Sequence, residues 1–392
     1  MDAKPTRVVL IGAGHAHLRL IHHLRELRCA GATVTVIDPQ ENLFYSGMMP
    51  AVLGGLAAPR AARIPVRSMV EEAGGTFVRD EVVRVDPGAR TVETTGARLP
   101  WDVASVAVGS RVAPSFPVSW SHGDLPTAKP VSRLPELADR VRRLQAAGVS
   151  PRVVVVGGGP SGVEIAGNLV RAAGGIAGAP PTVTVVTRSD RLLAAMPAAA
   201  GEHAASSLTR RGVRVLTGRT VTAVRDGIVE FGDGETIPAD IPVVATGLRP
   251  PEFIRSSGVP TDETGALLVD GTLSVAGQPL FGGGDCISVV GMDLARIGVH
   301  AVRENGVLLH NVRAAVVGEA PGSFVRYDPP AEPLLIVNPG DGTGIAVRGT
   351  RVSVGRRWLA LKLRIDWAFV RSRGRRIMPG FMPPPRRSRS GR

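Results

Sequence analysis

The sequence predicts an α/β fold: two strand–turn–helix–strand units in tandem, followed by a small C-terminal α+β domain. Three observations predict it. Near the N-terminus an apolar strand, a glycine-rich turn, a helical stretch and a second apolar strand follow one another, the order of a βαβ unit with a buried parallel sheet. The same order returns in mid-chain, with Gly12 and Gly157 at the two turns, 145 residues apart. A second pair of landmarks, Val106-Ala107-Val108-Gly109-Ser110 and Val243-Val244-Ala245-Thr246-Gly247, places Gly109 and Gly247 138 residues apart. Two landmarks at similar offsets mark two similar units.

Each element has a local reason. Arg7-Val8-Val9-Leu10-Ile11 is apolar after its first residue, as a buried strand should be. Gly12-Ala13-Gly14-His15-Ala16-His17 is the turn, Leu18 to Leu27 the helix, and Thr33 to Asp38 a second strand ending in an acid. In the repeat, Arg152 to Val156 is the strand, Gly157-Gly158-Gly159-Pro160-Ser161-Gly162 the turn, a helix runs through Leu169, and Thr182 to Val186 is the next strand. Pro117 to Leu134, rich in Ser, Pro and His, reads as a linker. Pro329 to Gly349 reads as short strands and a hairpin, and Arg356 to Arg373 as a helix. From Gly374 the chain is mostly Arg, Pro, Ser and Gly, the composition of a disordered tail.

Charge and cysteine content exclude several classes. The formal charge is +13, but residues 356–392 carry twelve Arg/Lys and one acid, Asp366, leaving +2 for the first 355 residues. A nearly neutral body argues against a nucleic-acid-binding globule, and the tail's lone aromatic, Phe381, makes no stacking platform. Cys29 and Cys286 are the only cysteines, so neither a disulfide framework nor a thiolate metal site is encoded. His15, His17, His22 and His23 do not have convincing metal-ligand spacing, and no metal is expected. A strand begins directly after the first few residues, leaving no room for a signal peptide, and no apolar run reaches membrane-spanning length. The expectation from these features is a cytoplasmic protein.

The two turns carry the chemistry. Between strand and helix, glycines let backbone N–H groups approach a pyrophosphate, and the helix N-terminus adds a favourable dipole. Two such turns in βαβ context predict two Rossmann-like dinucleotide-binding domains. In the first, Gly12 and Gly14 shape the turn, His15 follows it, and Asp38 is placed to accept from ribose hydroxyls. His17 stands where a third glycine is usual; it either packs helix against strand or faces the phosphates. The second turn is complete, with Gly157, Gly159 and Gly162. Glu164 follows near the helix start, as an acid that suits the dipole or as a contact near the nicotinamide. The next strand ends at Thr187-Arg188 rather than at an acid. Arg188 is either a solvated residue or the partner of a 2′-phosphate, so NADH and NADPH both stay open.

Further motifs carry a family resemblance. Leu280-Phe281-Gly282-Gly283-Gly284-Asp285-Cys286 resembles the second flavin-binding signature of two-dinucleotide-domain flavoproteins, in which the aspartate binds the ribityl chain of FAD. Ala245-Thr246-Gly247-Leu248-Arg249-Pro250 resembles their ATG motif near the domain crossover. Phe44-Tyr45-Ser46-Gly47-Met48-Met49-Pro50 resembles the flavin-side loop of a branch similar to type II NADH dehydrogenases. That branch includes the oxidoreductase module fused to selenophosphate synthetases, which Gly-His-Ala-His at 14–17 and Tyr-Ser-Gly-Met at 45–48 resemble most. The resemblance covers about residues 5–370.

The resemblance implies a glutathione-reductase-like two-domain flavoprotein. Residues 1–116 and 255–320 would form a discontinuous FAD domain, 117–254 the NAD(P) domain, 321–373 a C-terminal interface domain and 374–392 a basic tail. It implies FAD and NADH or NADPH as cofactors. Ser46, Gly47, Gly109, Gly247, Gly284 and Asp285 join the cofactor-binding candidates, and a homodimer is one assembly it allows. The implied reaction is hydride transfer from NAD(P)H to flavin N5, then electrons to a quinone or another small acceptor. Cofactors carry such chemistry, while the protein supplies orientation and electrostatics.

Two departures bear on the acceptor. Asn42 to Leu53 contains no cysteine, so neither a flavin–disulfide relay nor cysteine-dependent sulfide oxidation is expected. Type II NADH dehydrogenases carry paired glutamines on the helix after the Gly-Asp motif, and Gly298 to Asn305 has none. His300 is the candidate proton relay there, or else packs on the flavin. Lys129 contacts the isoalloxazine at the domain junction or is an ordinary surface lysine. With Glu164 these are the catalytic candidates. The alternatives are an auxiliary redox partner in a biosynthetic pathway, selenium metabolism for instance, and a dinucleotide-sensing binding protein.

At the C-terminal end, Trp358, Leu361, Ile365, Ala368 and Phe369 form an apolar stripe, widened by Leu359, Leu363, Trp367 and Val370, with Arg357, Lys362, Arg364 and Arg371 basic. Such a helix either docks on the body or lies in a membrane interface. In the second case residues 356–392 would hold the protein on the anionic inner face of the cell membrane, where quinones reside.

Overall fold

The computed structural model of the protein describes residues 4–174 and 177–373. The predicted disordered tail from Gly374 lies outside them.

The α/β class holds, and the topology explains the repeat. One parallel sheet runs, in spatial order, Leu280–Gly282, Val103–Val106, Thr6–Ile11, Ala32–Ile37 and Thr76–Val78. A second runs Ile241–Val244, Arg152–Val156, Thr182–Val186 and Arg214–Leu216, also parallel. Four strands of each follow the same spatial and chain order. Strand Leu280–Gly282 returns to the first sheet from beyond the second, bringing Gly284 and Asp285 to the first glycine turn. The two central strands are continuous apolar runs because both their faces are covered; Val8 to Ile11 and Val153 to Val156 are all buried.

An ion-pair staple repeats with the sheets. Arg7 binds Asp102 with its Nε (2.9 Å), Nη2 (2.8 Å) and backbone N–H (2.8 Å). Arg152 binds Asp240 in the same three ways, at 2.9, 2.5 and 2.9 Å. Each pair closes the open end of a central strand onto the residue before its neighbour.

Two expected elements differ. The helix expected over Leu18 to Leu27 opens with a 3-10 turn, His15–His17, and is broken at His23 into Leu18–His22 and Leu24–Cys29. Its counterpart in the second unit is one regular helix, Pro160–Ala173. The region expected to be a plain linker contributes strand Val118–Ser119, which pairs with Val224 and Arg225. The C-terminal reading matches: strands Leu335–Val337, Gly344–Arg348 and Arg351–Gly355 form an antiparallel sheet, and helix Arg356–Arg371 leaves its last strand. Among the described residues no helix is long and apolar enough to cross a membrane.

Candidate functional site

One cavity of about 960 Å³ is lined by both units. The first contributes Gly12, Gly14, His15 and Asp38, the second Ser161, Glu164 and Ile165, and the crossing segments Gly109, Ser110, Lys129, Gly284 and Asp285.

At the first turn, a Cβ on Gly14 would lie 2.2 Å from the Ala107 carbonyl oxygen, so only glycine passes there. Asp38 grips the turn from the strand end, its carboxylate accepting from the Ala13 N–H (2.8 Å) and the Gln40 N–H (2.8 Å). Burial raises its pKa, against these two bonds. His15 faces the cavity with its Nε2 buried and without a hydrogen-bond partner among the described residues. Burial lowers its pKa to about 4, so the ring is neutral near pH 7.

His17 settles differently from its phosphate-facing alternative and does not line the cavity. Its ring is fully buried, with Nδ1 2.6 Å from the Gly12 carbonyl oxygen and Nε2 2.8 Å from Ser105 Oγ. A carbonyl only accepts, so Nδ1 carries the proton and Nε2 accepts from the serine hydroxyl. Burial lowers the pKa to about 4 and keeps this neutral tautomer. In the second unit the same place is empty of side chain: a Cβ on Gly162 would lie 1.8 Å from the Gly157 carbonyl oxygen. An imidazole thus bridges turn to strand where the other unit packs backbone on backbone, and the helix start differs accordingly.

The second turn meets the shared cavity through Ser161 and not through its glycines. Gly157, Gly159 and Gly162 are not in its lining, and a Cβ on Gly159 would meet nothing within 4 Å. The backbone there is open to a ligand.

Lys129 and Asp285, 156 residues apart, meet as an ion pair, and Ser110 Oγ lies 2.8 Å from the ammonium and 2.9 Å from the carboxylate. Burial opposes ionisation of Asp285, but Lys129 and Ser110 outweigh it and hold the carboxyl below its ordinary range. Lys129 is therefore no ordinary surface lysine; its side chain is 24% exposed.

Glu164 is half-buried and lines the cavity. Its Oε1 accepts from the Asn338 N–H at 2.9 Å, tying the second unit's helix to the C-terminal sheet. Burial raises its pKa to about 7, against the pull of Lys362 and the amide. Lys362, one of the basic residues of the C-terminal helix, is turned inward. It donates to the Gly47 carbonyl (2.5 Å) and to Asp366 (2.9 Å), with side chains only 12% and 5% exposed. Tyr45 faces Asp366 and stacks on Phe369, ring centroids 4.5 Å apart.

Helix Arg356–Arg371 therefore docks. Its buried residues are Leu359, Phe369 and Val370 of the predicted apolar face together with Asp366, while Trp358, Leu361, Ile365 and Ala368 stay half-buried. The missed signal is the single acid among the basic residues, four positions after a lysine, a spacing that puts both on one helical face.

Three further candidates lie outside the lining of this cavity. His300 is buried and absent from the cavity lining, its Nδ1 2.8 Å from the Tyr327 hydroxyl; burial lowers its pKa. Gly247 is also outside the lining. A Cβ there would lie 2.3 Å from the Ala113 carbonyl oxygen, where Arg111–Val112 pairs with Leu248–Arg249 at the crossing. Arg188 is exposed, two residues beyond the end of strand Thr182–Val186. Ser46 and Gly47 do line the cavity, in a 3-10 turn, Ser46–Met48. Cys286 is buried, its thiol pushed up to about 12 by burial, so it is no nucleophile near neutral pH. Sequence reasoning also missed Glu304. It accepts from the Gly284 N–H at 2.5 Å, and burial raises its pKa to about 7.

Comparison with known proteins agrees with this geometry. Residues 6–308 match the family described as pyridine nucleotide-disulphide oxidoreductase. A NADH dehydrogenase-like protein of Mycobacterium tuberculosis is 31% identical over 292 residues, 71% of this chain and 72% of that protein. Demethylphylloquinone reductase of Synechocystis is 25% identical over 386 residues, 93% of this chain and 94% of that protein. Among solved structures, NDH2 of Plasmodium falciparum superposes with a TM-score of 0.73 at 13% identity, covering 97% of this chain and 100% of that one. Sulfide:quinone oxidoreductase of Aquifex aeolicus gives 0.75 at 16% identity, covering 94% and 91%. The chain belongs to the pyridine nucleotide-disulphide oxidoreductase family, within which it resembles the NADH dehydrogenases.

Proposed function

We propose that the protein is an FAD-dependent NAD(P)H oxidoreductase that passes electrons to a quinone. The observation that carries this reading is the shared cavity, in which the first glycine turn, Asp38, the unpartnered His15 Nε2 and the Gly284–Asp285 turn face one space. These residues fit a flavin dinucleotide: backbone amides for the pyrophosphate, a carboxylate at the strand end for a ribose, and a second carboxylate for the polyol chain. Bound there, the flavin would accept hydride at N5 and release electrons singly or in pairs.

The chain's own groups do the rest. Residues 1–116 and 255–320 form the FAD-binding domain, 117–254 binds NAD(P)H at Gly157–Gly162, and 321–373 bridges the two. Lys129 neutralises Asp285 and orders it through Ser110. Glu164, with its pKa near neutrality, holds a proton at the cavity wall for the acceptor being reduced, and Lys362 tunes how tightly it is held. His300 and Glu304 stand behind this wall as positioning residues.

The test is absorbance of the purified protein, flavin reduction by each nucleotide, and an acceptor screen that includes quinones. Bound flavin reduced by NAD(P)H and reoxidised by quinone is expected. Absence of flavin, or no reduction by either nucleotide, overturns the reading. Glu164→Gln is expected to slow quinone reduction by about 10²-fold or more and to remove a pH inflection near 7. An unchanged profile would take the proton role from Glu164.

We also propose peripheral attachment to anionic membrane through residues 356–392. The half-buried Trp358, Leu361, Ile365 and Ala368 lie beside outward Arg357, Arg364 and Arg371, a pattern suited to an interface. Chains ending at Arg373 keep the docked helix but lose the last six basic residues of the sequence. Their binding to anionic liposomes at low salt is expected to fall at least about tenfold; binding equal to that of the full chain refutes attachment through the tail.

A further inference from the structure

The two parallel sheets share one strand register and one backbone hydrogen-bond pattern at their glycine turns, which turns a sequence difference into a structural one. In the first sheet Ile11 pairs with Ile37, the Gly12 N–H donates to the Ile37 carbonyl, and the next residue, Asp38, donates its N–H to Val78. In the second, Val156 pairs with Val186, the Gly157 N–H donates to the Val186 carbonyl, and Thr187 donates its N–H to Leu216. Thr187 is therefore the counterpart of Asp38. The first site offers a nucleotide ribose a carboxylate; the second offers a short, buried hydroxyl, whose Oγ1 accepts from the Ser189 N–H at 3.3 Å.

The residue after it is Arg188. Its side chain is exposed and makes no ion pair or hydrogen bond among the described residues. The neighbouring cations are committed elsewhere. Arg191 donates to the carbonyls of Leu193, Ala194 and Met196. Arg219, whose N–H donates to the Thr187 carbonyl, spends its guanidinium on Asp233, Glu235 and the face of Phe231. The one acid in this stretch is Asp190, exposed two positions further on.

On these grounds we propose that the second site selects a 2′-phosphorylated dinucleotide, with Arg188 as the residue that binds the 2′-phosphate. This rests on the NAD(P)H reading above and names its substrate class as NADPH. A carboxylate at position 187 would accept from both ribose hydroxyls and repel a phosphate. The threonine removes that repulsion, and an uncommitted guanidinium beside it supplies two parallel donors to the dianion.

The test uses the full chain with its flavin. Binding of adenosine 2′,5′-bisphosphate and of 5′-ADP is measured by calorimetry, and flavin reduction by NADPH and NADH by rapid mixing. The unaltered protein is expected to bind the bisphosphate at least about tenfold more tightly, the worth of a charge-assisted pair, with the same preference in kcat/KM carried by KM. Arg188→Ala is expected to bring the two ligands within about threefold, Arg188→Lys to retain part of the difference, and Thr187→Glu to reverse it. Equal binding of both ligands by the unaltered protein, or a preference that survives Arg188→Ala, overturns the proposal while leaving NAD(P)H oxidation intact. Failure of both nucleotides to reduce the flavin, with neither probe bound, removes the NAD(P)H reading itself and the subsite with it.

Discussion

Lys362→Ala is expected to destabilise the protein by about 3–5 kcal/mol, the usual cost of removing one partner from a buried ion pair. The lysine ammonium lies against Asp366 and the Gly47 carbonyl and faces Glu164, all in the enclosed wall between the C-terminal helix and the cavity. Burial works against its charge, but Asp366 and Glu164 outweigh that and raise its pKa. Without it, Asp366 is left charged and enclosed beside another carboxyl. Glu164 also loses its principal stabilising charge, and its pKa moves above about 7. Equilibrium denaturation of the purified protein measures the loss. The double variant Lys362→Met with Asp366→Leu separates pairing from packing: removing both charges is expected to restore most of the stability. If Lys362→Ala costs less than about 1 kcal/mol, the range of an exposed pair, the buried cluster is not holding the helix.

The second large effect is a pH dependence. Glu304 is 1% exposed, and its carboxyl titrates near 7 instead of its ordinary 4.5 because burial disfavours the charged form. Between those two values the unfolded chain has released the proton and the folded protein still holds it. Stability therefore falls as pH rises from 4.5 to about 7, then levels off. Glu164 adds a slope of the same sign in the same window. Glu304→Gln keeps an acceptor for the Gly284 N–H and removes the charge. At pH 8 it is expected to be more stable than the parent by roughly 2–3 kcal/mol, with the gap closing below pH 4.5. Parallel stability curves for parent and variant across this window would show that Glu304 carries no such proton.

The two buried glutamates also mark how far the sequence could be read. Glu164 stood out because it follows a glycine turn. Glu304 did not, because nothing local distinguishes a buried acid from a surface one on the same helix. Asp285 was picked by motif and Lys129 by its place at the domain junction, yet their pairing joins positions 156 residues apart and leaves no trace in either segment. His17 was visible as a departure from glycine, but whether its ring faces the cavity or the strand depended on Ser105, a residue of another strand. On the C-terminal helix the apolar stripe was plain, while the face that packs inward was chosen by Tyr45, Gly47 and Glu164.

What the sequence by itself determined is the α/β class, the repeated strand–turn–helix order and the positions of the glycine turns. These follow from apolar periodicity and backbone sterics within a few residues. The tertiary structure alone decided which charges are buried together, which candidates face the cavity and which stand behind it. The reason is physical: a side chain's ionisation and contacts depend on what the fold brings to its other side, and that partner lies a hundred or more residues away in the chain.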